Sequence, residues 1–443
     1  MQVNRFVSVA AAALVLVSAA AGCSGSGSDT GEKADSVSSP ATQKQAEKPP
    51  EPVTLKFAIS TTYMSDAEFE KFVKVPISQK FPYVTLQRID VSQKGMTLPE
   101  LVATKEFPDI YADGPMNLSY NYVPFGLDYN LDSLIASNKS DYTRFNQEIV
   151  HAIQITTFRK EQLGMPLYNQ PWGLYYNKDL FDKMAVPYPK DGMTWDQVSD
   201  MGVKFRRDEG GISYHGLYTD NIFRGAYQLG LPWFDQATNK SQLGIPEWKS
   251  LFDYWVMINK KAPLPKGTNA TTMFQNGQLA MTVGSATTLR NMRSIAGLNW
   301  DLVTYPQNPQ AAGFGQRVDP FYMMITNTSK DKDTAFKVID YIASKEVQTD
   351  LSRNGYMSVL ADQTVLNELG KNYPELKDKN VTALTKLKLQ KIQSFGGVSA
   401  FTFANDAFTS VMYDGKDANT ALRQADELNN KALDDLKKQS GAK

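Results

Sequence analysis

Cysteine is almost absent from this chain. Cys23 is the only one in 443 residues, so no internal disulfide can form. Histidine is nearly as scarce, with His151 in a helical pattern and His215 in a polar turn. Neither belongs to a His/Cys cluster with ligand spacing, and Asp414-Gly-Lys-Asp-Ala-Asn-Thr lacks the alternating oxygens of a calcium loop, so no metal is expected. Net charge is absent too: 47 Lys and Arg face 47 Asp and Glu, which leaves no electrostatic footprint for nucleic acid. No G-x-S-x-G elbow, H-E-x-x-H pair or glycine-rich phosphate loop occurs in the body, so nothing calls for a cofactor. After the N-terminal segment no apolar run is long enough to span a bilayer.

What is present begins at the N-terminus. Arg5 precedes an almost unbroken apolar run from Phe6 to Ala21, the length of a signal-peptide core and short for a membrane span. The run ends in Ala20-Ala21-Gly22-Cys23, which resembles the bacterial lipobox, although Ala20 stands where Leu is usual. The resemblance implies cleavage after Gly22 and acylation of the Cys23 thiol. The alternative is an ordinary secretory signal with a chance cysteine. A lone thiol would be a liability in an exported protein, which favours lipidation. Residues 24–52 (SGSGSDTGEKADSVSSPATQKQAEKPPEP) hold no aromatic residue and little to bury, the composition of a disordered tether. Segments 1–22 and 23–52 are therefore read as leader and tether. Loss of Arg5 with the leader leaves 46 cations against 47 anions.

The body, 53–443, is long enough for two or more domains. Thr54 to Ile59 reads as a buried strand, and Ser65-x-x-Glu68 as a capping box that opens a helix to about Val75. Tyr83 to Asp90 is a second strand, Thr97-x-x-Glu100 a second capping box, and Phe107 to Asp113 a third strand. This is the grammar of a parallel α/β sheet. It recurs later. Trp172 to Tyr176 reads as a strand, Asn177 as a helix cap, and Thr194-x-x-Gln197 as a capping box for a helix to about Arg207. Glu247–Asn259 is helical, 278–284, 299–304 and 321–326 are strands, and Asp333–Ala343 is an amphipathic helix. From Asp417 the chain is polar and helix-prone.

Four stretches also carry a family resemblance, in order along 54–360. They are Leu163 to Val198 (LGMPLYNQPWGLYYNKDLFDKMAVPYPKDGMTWDQV), Phe107 to Ile110 (FPDI), Met273 to Gly284 (MFQNGQLAMTVG), and Thr334 to Ser344 (TAFKVIDYIAS) with Gly355 to Val359 (GYMSV). Together they resemble family 1 extracellular solute-binding proteins, the receptors of carbohydrate ABC importers. Ser358 and Val359 depart from the usual proline of the last region. The resemblance implies a type II periplasmic-binding-protein-like fold of class α/β. Two lobes, each a mostly parallel sheet flanked by helices, would be joined by a hinge. Gly and Pro punctuation places the crossings near 168–173, 283–285 and 315–320. One lobe would then comprise 53–168 with 286–316, and the other 172–283 with 320–443. The implied function is a monomeric, extracytoplasmic receptor that binds a di- or oligosaccharide. It would close around the sugar and hand it to permease subunits.

In open α/β sheets, ligands lie beyond the carboxyl ends of strands. That rule selects Tyr63 after the first strand, Asp113 after the third, Trp172 and Tyr175 at the first crossing, Ser285, and Arg317 with Asp319 at the last crossing. Trp233 lies in a Gly/Pro loop, and Phe395-Gly396-Gly397 is another loop with a ring. Trp172 and Trp233 are the expected platforms for a sugar's C–H face, and Asp113 the expected hydroxyl acceptor. Trp195, Trp248 and Trp255 lie in helical patterns and Trp300 in a strand, where packing is the expected role. The rival readings are the same fold around a peptide, polyamine or phosphoester, a sensor feeding a signalling partner, and a secreted glycosidase with paired carboxylates.

Overall fold

The computed structural model describes residues 50–395 and 399–440. The leader, most of the tether, Cys23 and the Gly396-Gly397 pair lie outside them. These described residues form one compact unit.

The strands, in chain order, are β1 (Val53–Ala58), β2 (Val84–Ile89), β3 (Ile110–Asp113), β4 (Met165–Asn169), β5 (Trp172–Asn177), β6 (Arg207–Glu209), β7 (Ile212–Tyr218), β8 (Phe234–Asp235), β9 (Lys240–Ser241), β10 (Leu279–Ser285), β11 (Trp300–Thr304), β12 (Phe314–Arg317), β13 (Pro320–Ile325) and β14 (Lys388–Gln390). Two five-stranded sheets dominate. Their orders are β2-β1-β3-β13-β4 and β11-β5-β10-β7-β6.

The first sheet starts as expected. β1 pairs in parallel with β2 and β3, and the Ser65/Glu68 and Thr97/Glu100 capping boxes open the helices between them. The first of these helices runs on past Val75 to Lys80, through a wide turn over Glu70–Lys74. Pro76, two residues past that turn, has no N–H to offer the preceding turn of helix. β13 then inserts antiparallel between β3 and β4. In the second sheet β5 runs antiparallel to both β10 and β11, and only β10 with β7 is parallel. β13 in the first sheet and β5 in the second, the strands that follow crossings, run against their neighbours, as does the edge strand β6.

The chain passes from the first sheet to the second at Asn169–Trp172 and returns between Thr304 and Pro320. Two expected assignments are corrected. β11 pairs with β5, so 300–304 belongs to the second sheet, and β13 places 320–325 in the first. The expected crossing at 283–285 does not occur: β10 runs through Ser285, and the helix Ala286–Met292 packs back on it. Gly284 is there for close packing, since a Cβ would lie 2.5 Å from Thr288 Oγ1. The helices Lys332–Ile342 and Lys345–Arg353 stay with the first sheet. The 3-10 turn Val381–Thr385 packs on β5 and β11, and β14 pairs with β12. The helices Ser399–Tyr413 and Ala418–Ser440 pack with Pro246–Lys261 of the second sheet's layer. The Thr194/Gln197 box opens a helix that ends at Val203, four residues short of the expected end, and His215 lies in β7 rather than in a turn. No helix among the described residues is long and apolar enough to cross a membrane.

Candidate functional site between the two sheets

The loop after β1 is held from below by Asp90, at the end of β2. Its carboxylate accepts from the Thr61 N–H at 2.9 Å and Oγ1 at 3.0 Å, and from Ser92 as well. Burial pushes this carboxyl up, but the hydrogen bonds from Ser92 and Thr61 outweigh it and hold it well below the usual range. Tyr63 follows, half-buried, with its ring edge on Phe321 at 4.5 Å between centroids. Burial, and then the charges of Asp113 and Asp319, raise its phenol to about 12.

Asp113 ends β3 and is 6% exposed. Three donors from its own lobe surround it: the Gly114 N–H at 2.7 Å, Asn117 Nδ2 at 3.0 Å and the Tyr111 hydroxyl at 3.3 Å. Desolvation still outweighs them and raises its pKa.

Arg317 and Asp319 lie on the return crossing. Arg317 Nη2 is 3.6 Å from Asp319 Oδ1 and 3.5 Å from Met116 Sδ, while the guanidinium lies 4.0 Å from the Tyr227 ring and 5.0 Å from that of Phe395. It thus bridges the segment after β3 to the helix Phe223–Leu229 of the second sheet's layer. Its Nε and Nη1 are buried without a protein acceptor.

The two crossings are tied to each other. The Asp319 N–H donates to Asn169 Oδ1 at 3.0 Å, and the Gln170 N–H to the Asp319 carbonyl at 3.2 Å. Gln170 Oε1 accepts from Ser285 Oγ at 3.1 Å and Thr287 Oγ1 at 2.7 Å. Ser285 in turn caps the helix Ala286–Met292 and pairs across the sheet with Trp172. Trp172 is half-buried, and the Arg224 guanidinium lies 3.4 Å over its ring, fixed by Asp220 at 2.7 Å.

Of the eight expected site residues, Tyr63, Asp113, Arg317 and Asp319 gather about the crossing, and Trp172 and Ser285 face each other at the neighbouring strand ends. Tyr175 and Trp233 are placed elsewhere. Tyr175 is fully buried in the second sheet's core, tilted against Trp300, with its hydroxyl donating to the Ser285 carbonyl at 2.9 Å. Strand alternation explains this: positions 172 and 175 point to opposite faces. Trp233 is also fully buried, packed on Trp248 at 4.6 Å, Phe395 at 5.3 Å and Tyr227 at 5.9 Å. Its Gly/Pro loop folds inward because the helix Pro246–Lys261 offers an aromatic wall. Trp195, Trp248, Trp255 and Trp300 are packed as their patterns imply.

Sequence reasoning missed Asn117, Gln170, Arg224 and Tyr227. Arg224 and Tyr227 are three apart on one helix, a spacing that puts both on one face. The burial of that face against Trp172 and Arg317 carries no local signal. A separate cavity of about 170 Å³ beside the first crossing is lined by Asn146, Ile149, Asn169, Pro171, Met357 and others, and contains none of the eight.

The family model for bacterial extracellular solute-binding proteins matches residues 83–378, and the chain belongs to that family. A binding protein of Brucella abortus is 24% identical over 220 residues, 46% of this chain and 52% of its own. The sn-glycerol-3-phosphate-binding periplasmic protein UgpB of Escherichia coli K12 is 24% identical over 213 residues, 44% of this chain and 49% of its own. The chain spans about half the length of these curated relatives. Among solved structures, an ABC substrate-binding protein of Listeria monocytogenes in complex with cycloalternan aligns with TM-score 0.69 at 19% identity, covering 86% of this chain and 99% of that one. UgpB of Mycobacterium tuberculosis in complex with glycerophosphocholine gives TM-score 0.69 at 17% identity, covering 87% and 99%. The fold is thus the α/β type II binding-protein fold.

Proposed function

We propose that the protein is an extracytoplasmic receptor that closes its two lobes around a polyhydroxylated solute, a di- or oligosaccharide, and delivers it to the permease of an ABC importer. The supporting observation is the charge balance of the candidate cleft. Arg224 is paired with Asp220 and Arg317 with Asp319, so both guanidiniums of this aromatic, hydrogen-bonding site are offset and no excess positive charge is left. Such a site suits neutral hydroxyls better than a free phosphate or a polyamine. Trp172 would supply the apolar platform, with Tyr63, Asp319 and Arg317 as hydroxyl partners. Asp113, already holding three donors, would act mainly by shaping the pocket around Tyr63. On this reading the protein works by binding, with no turnover of the sugar, and Cys23 carries the lipid that keeps it at the membrane.

A second reading, a phosphodiester of a polyol, is favoured by one feature. Arg317 keeps two buried nitrogen donors without a protein acceptor. A thermal-shift series on the chain without its lipid decides between them, using maltose, a maltooligosaccharide, glycerophosphocholine, a tripeptide and spermidine. A solute at 100 times its dissociation constant adds about 2.7 kcal/mol of stability. A shift with the sugars alone supports the first reading. A shift with glycerophosphocholine alone replaces it with the second, and a shift with the peptide or spermidine alone removes both.

A further inference from the structure

We infer that Arg290 is the positioning residue that holds the Tyr63 loop from across the cleft and links it to the crossing strands. Arg290 belongs to the helix Ala286–Met292, which follows β10 of the second sheet. Its side chain leaves that layer and is only 7% exposed. Nη1 donates to the Gly355 carbonyl at 3.3 Å and Nη2 to the Tyr63 carbonyl at 3.5 Å, while the guanidinium lies 3.8 Å from the Tyr356 ring. All three partners belong to the first sheet's layer. Tyr63 follows β1, and Tyr356 packs on Phe72 and Tyr168.

The near side of the same guanidinium is anchored too. Nη2 donates to Thr287 Oγ1 at 3.3 Å, and that hydroxyl donates to Gln170 Oε1 on the first crossing. Glu68 supplies the facing negative charge. Gly355 is shaped for this contact. Its φ is +82°, and a Cβ there would lie 2.9 Å from Arg290 Cγ.

A desolvated cation is tolerated only while its donors and its aromatic partner stay in place. If the lobes part, Arg290 loses Gly355, Tyr63 and Tyr356 together and returns to water. Its contacts therefore exist in one state of the hinge and not the other, which is the condition for biasing that equilibrium. The residue favours the closed form before any solute enters. It also sets the height of the Tyr63 loop, and so connects what touches the solute to what bends. The clasp itself is independent of solute class; its purpose rests on the receptor reading above.

The test uses the full mature chain with Cys23→Ser, carrying spin labels at Ser78→Cys and Lys204→Cys, exposed positions on the two layers. Electron–electron distances are measured without added solute. With Arg290 intact, one narrow distribution is expected. Arg290→Met is expected to broaden it and move it to longer distances, Arg290→Lys to restore it in part, and Thr287→Val to shift it the same way by less. A distribution unchanged in both Arg290→Met and Thr287→Val, with or without a lower melting temperature, would overturn the inference and leave Arg290 a packing residue. If Arg290→Met does not fold, judged by circular dichroism, Thr287→Val decides alone. No solute is present, so failure here leaves the sugar assignment standing, and an unexpected solute leaves the clasp standing.

Discussion

Asp90 and Asp113 end two strands of one sheet, and their surroundings pull them in opposite directions. Asp90 is held ionised by its donors, so it contributes stability above the ordinary carboxylate range and loses it as pH falls through its depressed native pKa. The advantage of the wild type over Asp90→Asn should be full near pH 7 and fade below about pH 4. Asp113 is penalised when charged, because its folded pKa is raised. The penalty applies above that pKa and is absent below the unfolded value of about 4. The wild type should therefore gain on Asp113→Asn as pH falls from 7 to 4.5. Urea midpoints of Asp90→Asn at pH 7 and pH 3, and of Asp113→Asn at pH 7 and pH 4.5, check the signs, and parallel offsets would refute them. The tryptophans make a similar contrast. Trp233→Ala empties a fully enclosed aromatic box and should cost about 3–5 kcal/mol. Trp172→Ala, at a half-buried position, should cost much less and instead abolish most of the sugar-induced thermal shift.

Among the elements, the tightest join is the helix Trp195–Val203 on β7. A Cβ at Gly216 would lie 1.9 Å from the Gly202 carbonyl oxygen, and that obstacle is backbone, which has no rotamer to yield. Gly216→Ala should push the helix off the sheet and cost at least the 1–3 kcal/mol typical of overpacking, read as a lower denaturation midpoint. Elements were also the scale at which the sequence was most readable. Ser65 with Glu68, Thr97 with Glu100 and Thr194 with Gln197 bond within four residues, so the signal lies inside the segment it describes. Sheet membership has no such locality. The hydrophobic runs at 300–304 and 320–325 look alike, yet one pairs with β5 and the other enters between β3 and β4. The site was divided in the same way. Tyr63, Asp113 and Asp319 follow from strand ends, whereas Arg224 and Arg290 reach their partners only through tertiary packing. The inward placement of Tyr175, three positions from Trp172 on one strand, was legible in strand alternation.

On the proposed reading, an acylated Cys23 moors the whole molecule. Cys23→Ser should move the protein from the membrane fraction to the soluble fraction of cells; unchanged sedimentation with membranes would argue against an acylated thiol. The order of the first sheet has a separate consequence for biogenesis. Its seat between β3 and β4 is filled by β13, whose residues come about 150 positions after β4 in the chain. A polypeptide threaded outward from its N-terminus would have the flanking strands on the far side of the membrane well before their wedge arrives. Until then it presents two bare ladders, a hazard for self-association. Secretion at a pace that outruns a holding chaperone should therefore yield clumped chains rather than slowly maturing ones.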